Sequence, residues 1–372
     1  MLLSSIPASQ EQRDSMPSLA ILDDDHILRL MRYAIEGDGA VSEQWAQGFF
    51  LPEDADLARV RALGDGLHPS DGVTLLPLGA DVRTSGDLDV LIFRRGTIDA
   101  ALMDAHPKLK LIQRIGARAD AIDLAAAKAR NIAVSCVPRP SLQLTAEHAI
   151  LLMLALGKRL LTGDALTRAG AYDASRVHPD HGVAYNWTRQ APLAGLYGKT
   201  VGIVGLGEVG VMAARMAQGF SARVVYCNRT RLSPEKERAL GVEYRALDAL
   251  LAESDFVSLH ASNLPDNKGM IDAKFFAQMK RTAYFVNTSR GRMVDQQALA
   301  DALTRGTIAG AGIDVFFEEP LKLPSPLTAL PNIILTPHIA GGSRTGIIDE
   351  VGAVLANCRA VLTGGELKHR VA

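Results

Sequence analysis

The stretch Thr200-Val-Gly-Ile-Val-Gly-Leu-Gly-Glu-Val-Gly210 constrains the fold of this chain more than any other. A short apolar run leads into Gly205, Gly207 and Gly210, spaced G-x-G-x-x-G, and a helix-like run, Val211-Met-Ala-Ala-Arg-Met-Ala, follows. A strand that turns through glycines into a helix is the context this spacing requires. The first glycine permits the tight turn, the second lets the backbone approach a pyrophosphate, and the third lets helix and strand pack closely. The free N–H groups and dipole of the helix N-terminus favour the phosphate charge. The loop Gly205, Leu206, Gly207, Glu208, Val209 and Gly210 is therefore expected to hold a dinucleotide.

The following strand-like run ends at Tyr226-Cys-Asn-Arg-Thr-Arg231. A site for NAD usually carries Asp or Glu here, about 20 residues past the glycines, to bond the ribose 2′-hydroxyl. This chain has Asn228, Arg229 and Thr230 instead, with Arg231 next. A carboxylate would repel a 2′-phosphate, whereas Asn, Arg and Thr bond and neutralise it. NADP(H) is favoured on this reading and NAD(H) stays open. The plain alternative is that the arginines are solvated surface charges.

The rest of the chain repeats the strand-then-helix pattern. Apolar runs occur at Leu19–Leu22, Val73–Leu76, Val90–Phe93, Leu109–Ile112 and Ile132–Ser135, and again at Thr200–Val204, Arg223–Tyr226, Phe256–Leu259, Tyr284–Val286, Gly310–Ile313 and Ile333–Leu335. Helical stretches such as Asp123–Arg130, Val209–Gln218 and Gln296–Leu303 lie between them. Short buried strands alternating with helices make parallel sheets. Two such sets in 372 residues, at roughly 150 residues per domain, predict an α/β protein of two doubly wound domains. Ser141–Arg168 reads as one long helix at their junction, with Ser141 as its N-cap. Gly170–Pro192 reads as a loop or an arm against another subunit, and Gly341–Leu362 as a further helix.

A net charge of −1 gives no electrostatic footprint for nucleic acid or an anionic membrane surface. The longest apolar run, Ala149–Leu156, is far short of the roughly 20 residues of a membrane span. Cys136, Cys227 and Cys358 are too scattered for a disulfide framework and lack metal-ligand spacing. No metal site and a reducing, cytoplasmic setting are expected. The first residues have no basic n-region and read as a frayed tail.

Three further stretches turn a dinucleotide binder into a candidate enzyme. They are Val286-Asn-Thr-Ser-Arg-Gly291, Gly312-Ile-Asp-Val-Phe-Phe-Glu-Glu-Pro320 and Leu335-Thr-Pro-His-Ile-Ala340. Each follows a candidate strand, at the carboxyl edge where such sheets bind ligands. Arg290, Glu319 and His338 come in that order. Alone, each has a bland alternative as a surface arginine, a loop acid and a turn histidine.

In their order behind the glycine loop, these motifs resemble the D-isomer-specific 2-hydroxyacid dehydrogenases, the group that includes glyoxylate/hydroxypyruvate reductases, D-lactate dehydrogenases and phosphoglycerate dehydrogenases. The resemblance runs from about Leu88 to Gly342. It implies a Rossmann cofactor domain, residues 144–338, inserted in a flavodoxin-like substrate domain, residues 1–143 plus 339–372. It implies a homodimer with residues around Ser141–Pro192 at the interface. It also implies that Arg290 binds substrate, that His338 is the acid/base with Glu319 as partner, and that Thr288 and Asp314 lie on the cofactor, Asp314 near the nicotinamide carboxamide.

Chemistry supports those roles. Reduction of a 2-keto acid needs a hydride on the carbonyl carbon and a proton on its oxygen. An arginine fork fixes the carboxylate and keto oxygen, and a histidine gives the proton and takes it back in reverse. A neighbouring carboxylate stabilises the imidazolium. His148 and His260 read as structural, and Glu318 is distinguished from Glu319 by the latter's place directly before Pro320.

Two segments resemble the family's substrate loops. Phe93-Arg-Arg-Gly-Thr97 puts Arg94 at a common contact position. Arg114-Ile-Gly-Ala-Arg-Ala-Asp120 includes Ala117 and keeps Gly116, but has Arg118 where the family usually has a second glycine. Arg118 is either an extra positive charge beside the pocket or a solvated side chain. This departure puts simple glyoxylate or lactate specificity in doubt. Glu319 argues against formate dehydrogenase activity, since those relatives place Gln there. A dinucleotide-sensing, non-catalytic protein of corepressor type is the alternative function. An amino-acid dehydrogenase is a further rival, expected to use a lysine-based site.

Overall fold

The structure, a computed structural model, describes residues 16–22, 24–171, 185–261 and 267–372. The N-terminal tail reading and most of the Gly170–Pro192 arm lie outside the described residues. The chain forms two compact units. One holds the residues up to Ser141 together with Ser343–Ala372; the other is the continuous stretch Leu142–Gly342.

The split unit is built on a five-stranded sheet. Its strands are β1 (Ser18–Ile21), β2 (Thr74–Leu75), β3 (Val90–Phe93), β4 (Leu111–Ile115) and β5 (Ala133–Val137). They run parallel in the order β2-β1-β3-β4-β5, the flavodoxin-like doubly wound order. Every residue of β3 and β5 is buried, as expected for strands covered on both faces. The last residues bond along the outer edge of β5, with the Val134 N–H donating to the Ala372 carbonyl at 3.1 Å and the Val371 N–H to the Val134 carbonyl at 2.8 Å. Asn357, on the helix Thr345–Thr363, anchors that return. Its amide donates to Gln113 Oε1, Ser135 Oγ and the Lys368 carbonyl, each at 3.0 Å.

The continuous unit carries β6 (Thr200–Val204), β7 (Arg223–Cys227), β8 (Glu243–Tyr244), β9 (Phe256–Leu259), β10 (Tyr284–Asn287), β11 (Gly310–Ile313) and β12 (Ile333–Leu335). All are parallel, in the order β12-β11-β10-β9-β6-β7-β8. The chain starts at β6, winds out to β8, then crosses back to β9, so the switch point lies beside the glycine loop. All eleven apolar runs fall on strands. β8 was not among them, being two residues long with an exposed glutamate.

The junction corrects one expectation. Residues 141–168 are not one helix but two, Leu142–Gly157 and Leu160–Arg168. Arg159 between them has φ +52°, in the left-handed region through which a helix does not continue. The Gly157 carbonyl accepts from the Ala194 N–H at 2.7 Å. A Cβ at Gly157 would sit 2.9 Å from the Ala194 carbonyl oxygen, so a close crossing of the chain at Ala194 ends the helix. The first helix is mostly apolar, with Gln143 and Glu147 exposed near its start. Leu144 and Leu151 on it, and Leu160 and Leu161 on the next, remain exposed.

Candidate active site

The expected site residues of the continuous unit all follow the carboxyl ends of parallel strands, so they share one edge of the sheet. β6 ends at Gly205. The turn there has φ +98°, and a Cβ would meet Ala261 N at 2.6 Å. At Gly210 a Cβ would fall 2.5 Å from the Gly205 carbonyl oxygen, which is the close helix–strand packing the third glycine serves. The helix Glu208–Gly219 begins at Gly207 with no side-chain cap, which leaves its first N–H groups for an anion. Thr288, after β10, is buried with a hydroxyl that has no partner among the described residues. An uncapped helix end, backbone that tolerates no Cβ and an orphaned hydroxyl together fit a dinucleotide.

At the ribose end, Asn228 Oδ1 accepts from the Leu206 N–H at 2.6 Å, tying β7 to the glycine loop. Arg229 and Thr230 are exposed. Arg231 is committed elsewhere: its guanidinium grips Glu237 through two bonds of 2.8 and 2.9 Å and lies over the Tyr244 ring. The Tyr226 hydroxyl accepts from the Leu232 N–H and donates to Glu237, both at 2.9 Å. These bonds, Arg231 foremost, hold the Glu237 carboxyl down at about 2. Both arginines are exposed, but Arg231 is neutralised by Glu237, whereas Arg229 makes no such pair among the described residues.

On the reacting side, β10, β11 and β12 stay in register to their ends, Asn287 beside Ile313 and Ile313 beside Leu335. The loops carrying Arg290, Glu319 and His338 therefore leave the sheet at one level. Asn287 is fully buried and shapes the first. Its side chain accepts from the Ser289 N–H at 2.9 Å and donates to the Arg290 carbonyl at 3.2 Å. Arg290 is exposed, with its guanidinium on the Ser289 carbonyl at 2.6 Å. His338 Nδ1 lies 2.6 Å from Glu319 Oε2. The other Glu319 oxygen accepts from the Phe316 N–H at 2.9 Å, so the carboxylate is aimed before any substrate arrives. Glu318 instead pairs with Lys322. Nδ1 being occupied, Nε2 is the nitrogen of His338 left to exchange a proton with a ligand.

Asp314, expected near the carboxamide, is built into the scaffold of the next loop. It is fully buried, and both its oxygens accept bonds from residues 336–340. Thr336 and His148 complete that support. Asn287 and Thr336 stand inside the quoted motifs without an expected role; Asn287 bonds within its own loop, and the partners of Thr336, Asp314 and His148, come from other elements. His260, after β9, has its Nε2 2.9 Å from Ser258 Oγ, and burial pushes its imidazole down to about 4.

The two expected substrate loops belong to the split unit. Arg94 is bound to Asp25 at 2.6 Å. Burial works against the Asp25 charge, but Arg94 and the Leu28 and Ile27 N–H groups outweigh it and hold the carboxyl below its usual range. Arg118 pairs with Asp120 at 2.6 Å and is partly exposed. Its carbonyl accepts from Arg114, and Gly116 beside Ala117 has φ +138°. Among the described residues, Cys136, Cys227 and Cys358 form no disulfide. Among the described residues no cluster of His, Cys, Asp or Glu is arranged to hold a metal, and no helix is long and apolar enough to cross a membrane.

Comparison with known proteins agrees with this geometry. Residues 150–340 match the family described as D-isomer specific 2-hydroxyacid dehydrogenase, NAD binding domain. A glyoxylate reductase of Korarchaeum cryptofilum is 40% identical over 259 residues, 69% of this chain and 75% of that one. Among solved structures, a glyoxylate reductase from Paecilomyes thermophila superimposes with a TM-score of 0.57 at 27% identity, covering 96% of this chain and 98% of that one. An NADPH-dependent glyoxylate/hydroxypyruvate reductase from Sinorhizobium meliloti, in complex with NADP and malonate, gives 0.53 at 25% identity, covering 96% and 97%. A sheet edge carrying a dinucleotide loop and a carboxylate-held histidine, matched over that length, places this chain in the family of D-isomer-specific 2-hydroxyacid dehydrogenases.

Proposed function

We propose that the chain works mainly as a 2-keto acid reductase with NADPH as the preferred donor. The observation that carries this reading is the 2.6 Å bond between His338 Nδ1 and Glu319 Oε2. A dinucleotide in the glycine loop supplies the hydride. Arg290 binds the substrate carboxylate and orients the keto group. His338 delivers a proton from Nε2 to the keto oxygen, and Glu319 stabilises the imidazolium it starts from. Thr288 gives its orphaned hydroxyl to the dinucleotide, and Arg229 with Thr230 meets a 2′-phosphate. The unit Leu142–Gly342 serves as the coenzyme domain and the split unit as the substrate domain.

Glyoxylate and hydroxypyruvate head the substrate panel, because relatives at 40% and 25% identity are reductases of those compounds. The pairing of Arg118 with Asp120 favours its reading as a solvated side chain over a pocket charge. The exposed Leu144, Leu151, Leu160 and Leu161 support a homodimer through this face, since apolar patches of this kind mark interfaces. Cysteines outside any disulfide among the described residues suit a cytoplasmic setting.

The test is NADPH and NADH oxidation by the purified chain with glyoxylate, hydroxypyruvate and bulkier 2-keto acids, with light scattering for the assembly. Cofactor binding without turnover on any keto acid would favour the dinucleotide-sensing alternative and overturn the proposal.

A further inference from the structure

Three side chains from three elements meet behind the His338 backbone. Asp314 follows β11, Thr336 follows β12, and His148 lies on the helix Leu142–Gly157. Asp314 Oδ1 accepts from the Thr336 hydroxyl at 2.6 Å and from the Ile339 N–H at 2.9 Å; Oδ2 accepts from the Ala340 N–H at 2.9 Å. The Asp314 carbonyl accepts from the His338 N–H at 2.9 Å. One buried residue thus holds the chain from 336 to 340 at four points.

The turn needs that hold. His338 has φ +56°, a left-handed conformation that is costly for a residue with a Cβ and persists only where its surroundings over-determine it. The Thr336 hydroxyl has one proton, and Asp314 receives it. Thr336 Oγ1 is also 3.0 Å from His148 Nε2, so in that contact the hydroxyl oxygen is the acceptor and the imidazole is the donor. The chain of bonds runs His148 Nε2–H to Thr336 Oγ1–H to Asp314 Oδ1, and it selects the Nε2–H tautomer of His148.

We propose that His148 is a positioning residue for His338. Its N–H holds the Thr336 hydroxyl aimed at Asp314, and Asp314 in turn locks the left-handed turn that presents the reacting imidazole. This inference rests on His338 being the acid/base. Without a donor at position 148 the hydroxyl turns away, the buried carboxylate loses a bond, and the turn relaxes. A displacement of about 1 Å at a reacting group can lower the rate by about a hundredfold.

The experiment compares His148→Leu, His148→Gln and Thr336→Val with the wild type on the best 2-keto acid. It measures kcat, KM and the dissociation constant of NADPH, with ¹⁵N NMR of His148 in the unsubstituted chain. His148→Leu is expected to lower kcat about 10- to 100-fold, while the NADPH dissociation constant stays within about 2-fold. His148→Gln, which keeps a donor at similar reach, restores most of the loss. Thr336→Val reproduces the leucine defect, and combining it with His148→Leu adds little, as for members of one network. Unchanged kcat in His148→Leu, equal losses in the Leu and Gln variants, or a His148 resonance of the Nδ1–H tautomer overturns the proposal. If His148→Leu does not fold, the near-isosteric Thr336→Val decides on the same criteria. Wild-type protein inert toward every keto acid refutes the proposed reaction instead; the NMR tautomer still tests the bond chain.

Discussion

Gly291 lies against the backbone of Phe316, so close that a Cβ on Gly291 would overlap the Phe316 carbonyl. The contact joins the loop after β10 to the loop after β11. Arg290 is the neighbour of Gly291, and the Phe316 N–H is the group that aims Glu319. A single methyl group at 291 must push the arginine loop and the glutamate loop apart. Gly291→Ala is expected to cost about 1–3 kcal/mol of stability, the range for overpacking, and to lower kcat/KM beyond what the stability loss explains. Urea denaturation beside steady-state kinetics checks this; an alanine variant with wild-type kinetics refutes the coupling.

The Glu319–His338 pair, joined at 2.6 Å, predicts an effect on turnover. His338→Ala should lower kcat by about 10²–10⁴, the range for losing a general acid. Glu319→Gln keeps the shape but removes the negative charge that favours the imidazolium. Its kcat should fall about 10-fold or more at a fixed pH. Steady-state kinetics of both variants beside the wild type decide it, and a wild-type kcat in Glu319→Gln would refute the pairing's role.

Coenzyme choice should separate two neighbouring arginines. Arg229 is exposed, whereas Arg231 is bound twice by Glu237. Arg229→Ala is expected to raise KM for NADPH about 10-fold or more, the loss of a charge-assisted bond, and to leave KM for NADH within about 2-fold. Arg231→Ala should change that ratio little and instead lower the melting temperature. If Arg231 rather than Arg229 controls the ratio, the assignment at the ribose is wrong.

His260 predicts a stability effect below neutral pH. Its folded-state value is pushed down to about 4 by burial, against about 6.5 in an unfolded chain. Between those values the unfolded chain binds a proton that the folded one does not, so stability falls as pH drops from about 6.5 to about 4. The full effect is about 3 kcal/mol. His260→Gln should flatten this part of the profile in denaturant titrations at pH 7, 5.5 and 4.5; an unchanged slope would assign the acid sensitivity to other groups.

Much of this protein is legible in its residues. Strands such as Thr200–Val204 and Phe256–Leu259 are continuous apolar runs because both faces of a parallel sheet are covered. The glycines at 205, 207 and 210 mark backbone that must turn or pack closely. Arg290, Glu319 and His338 could be named because each stands a few residues past such a strand, where a doubly wound sheet presents its chemistry.

Local pattern does not carry contacts that depend on where distant backbone passes. The helical pattern continues through Lys158 and Arg159, but the crossing at Ala194 ends the helix. Arg231 and Arg229 are alike as letters in one loop, and Glu237 on the next helix separates them. The bonds that Asp314 accepts from Thr336, Ile339 and Ala340 are not legible in its motif either. The sequence by itself determined eleven of the strands, the glycine loop and the candidate residues Arg290, Glu319 and His338, because periodicity and motif spacing are properties of the chain. Which polar side chains face a ligand and which hold the scaffold was decided only by the tertiary structure, because a hydrogen bond is settled by distance and direction between groups that the chain alone leaves far apart.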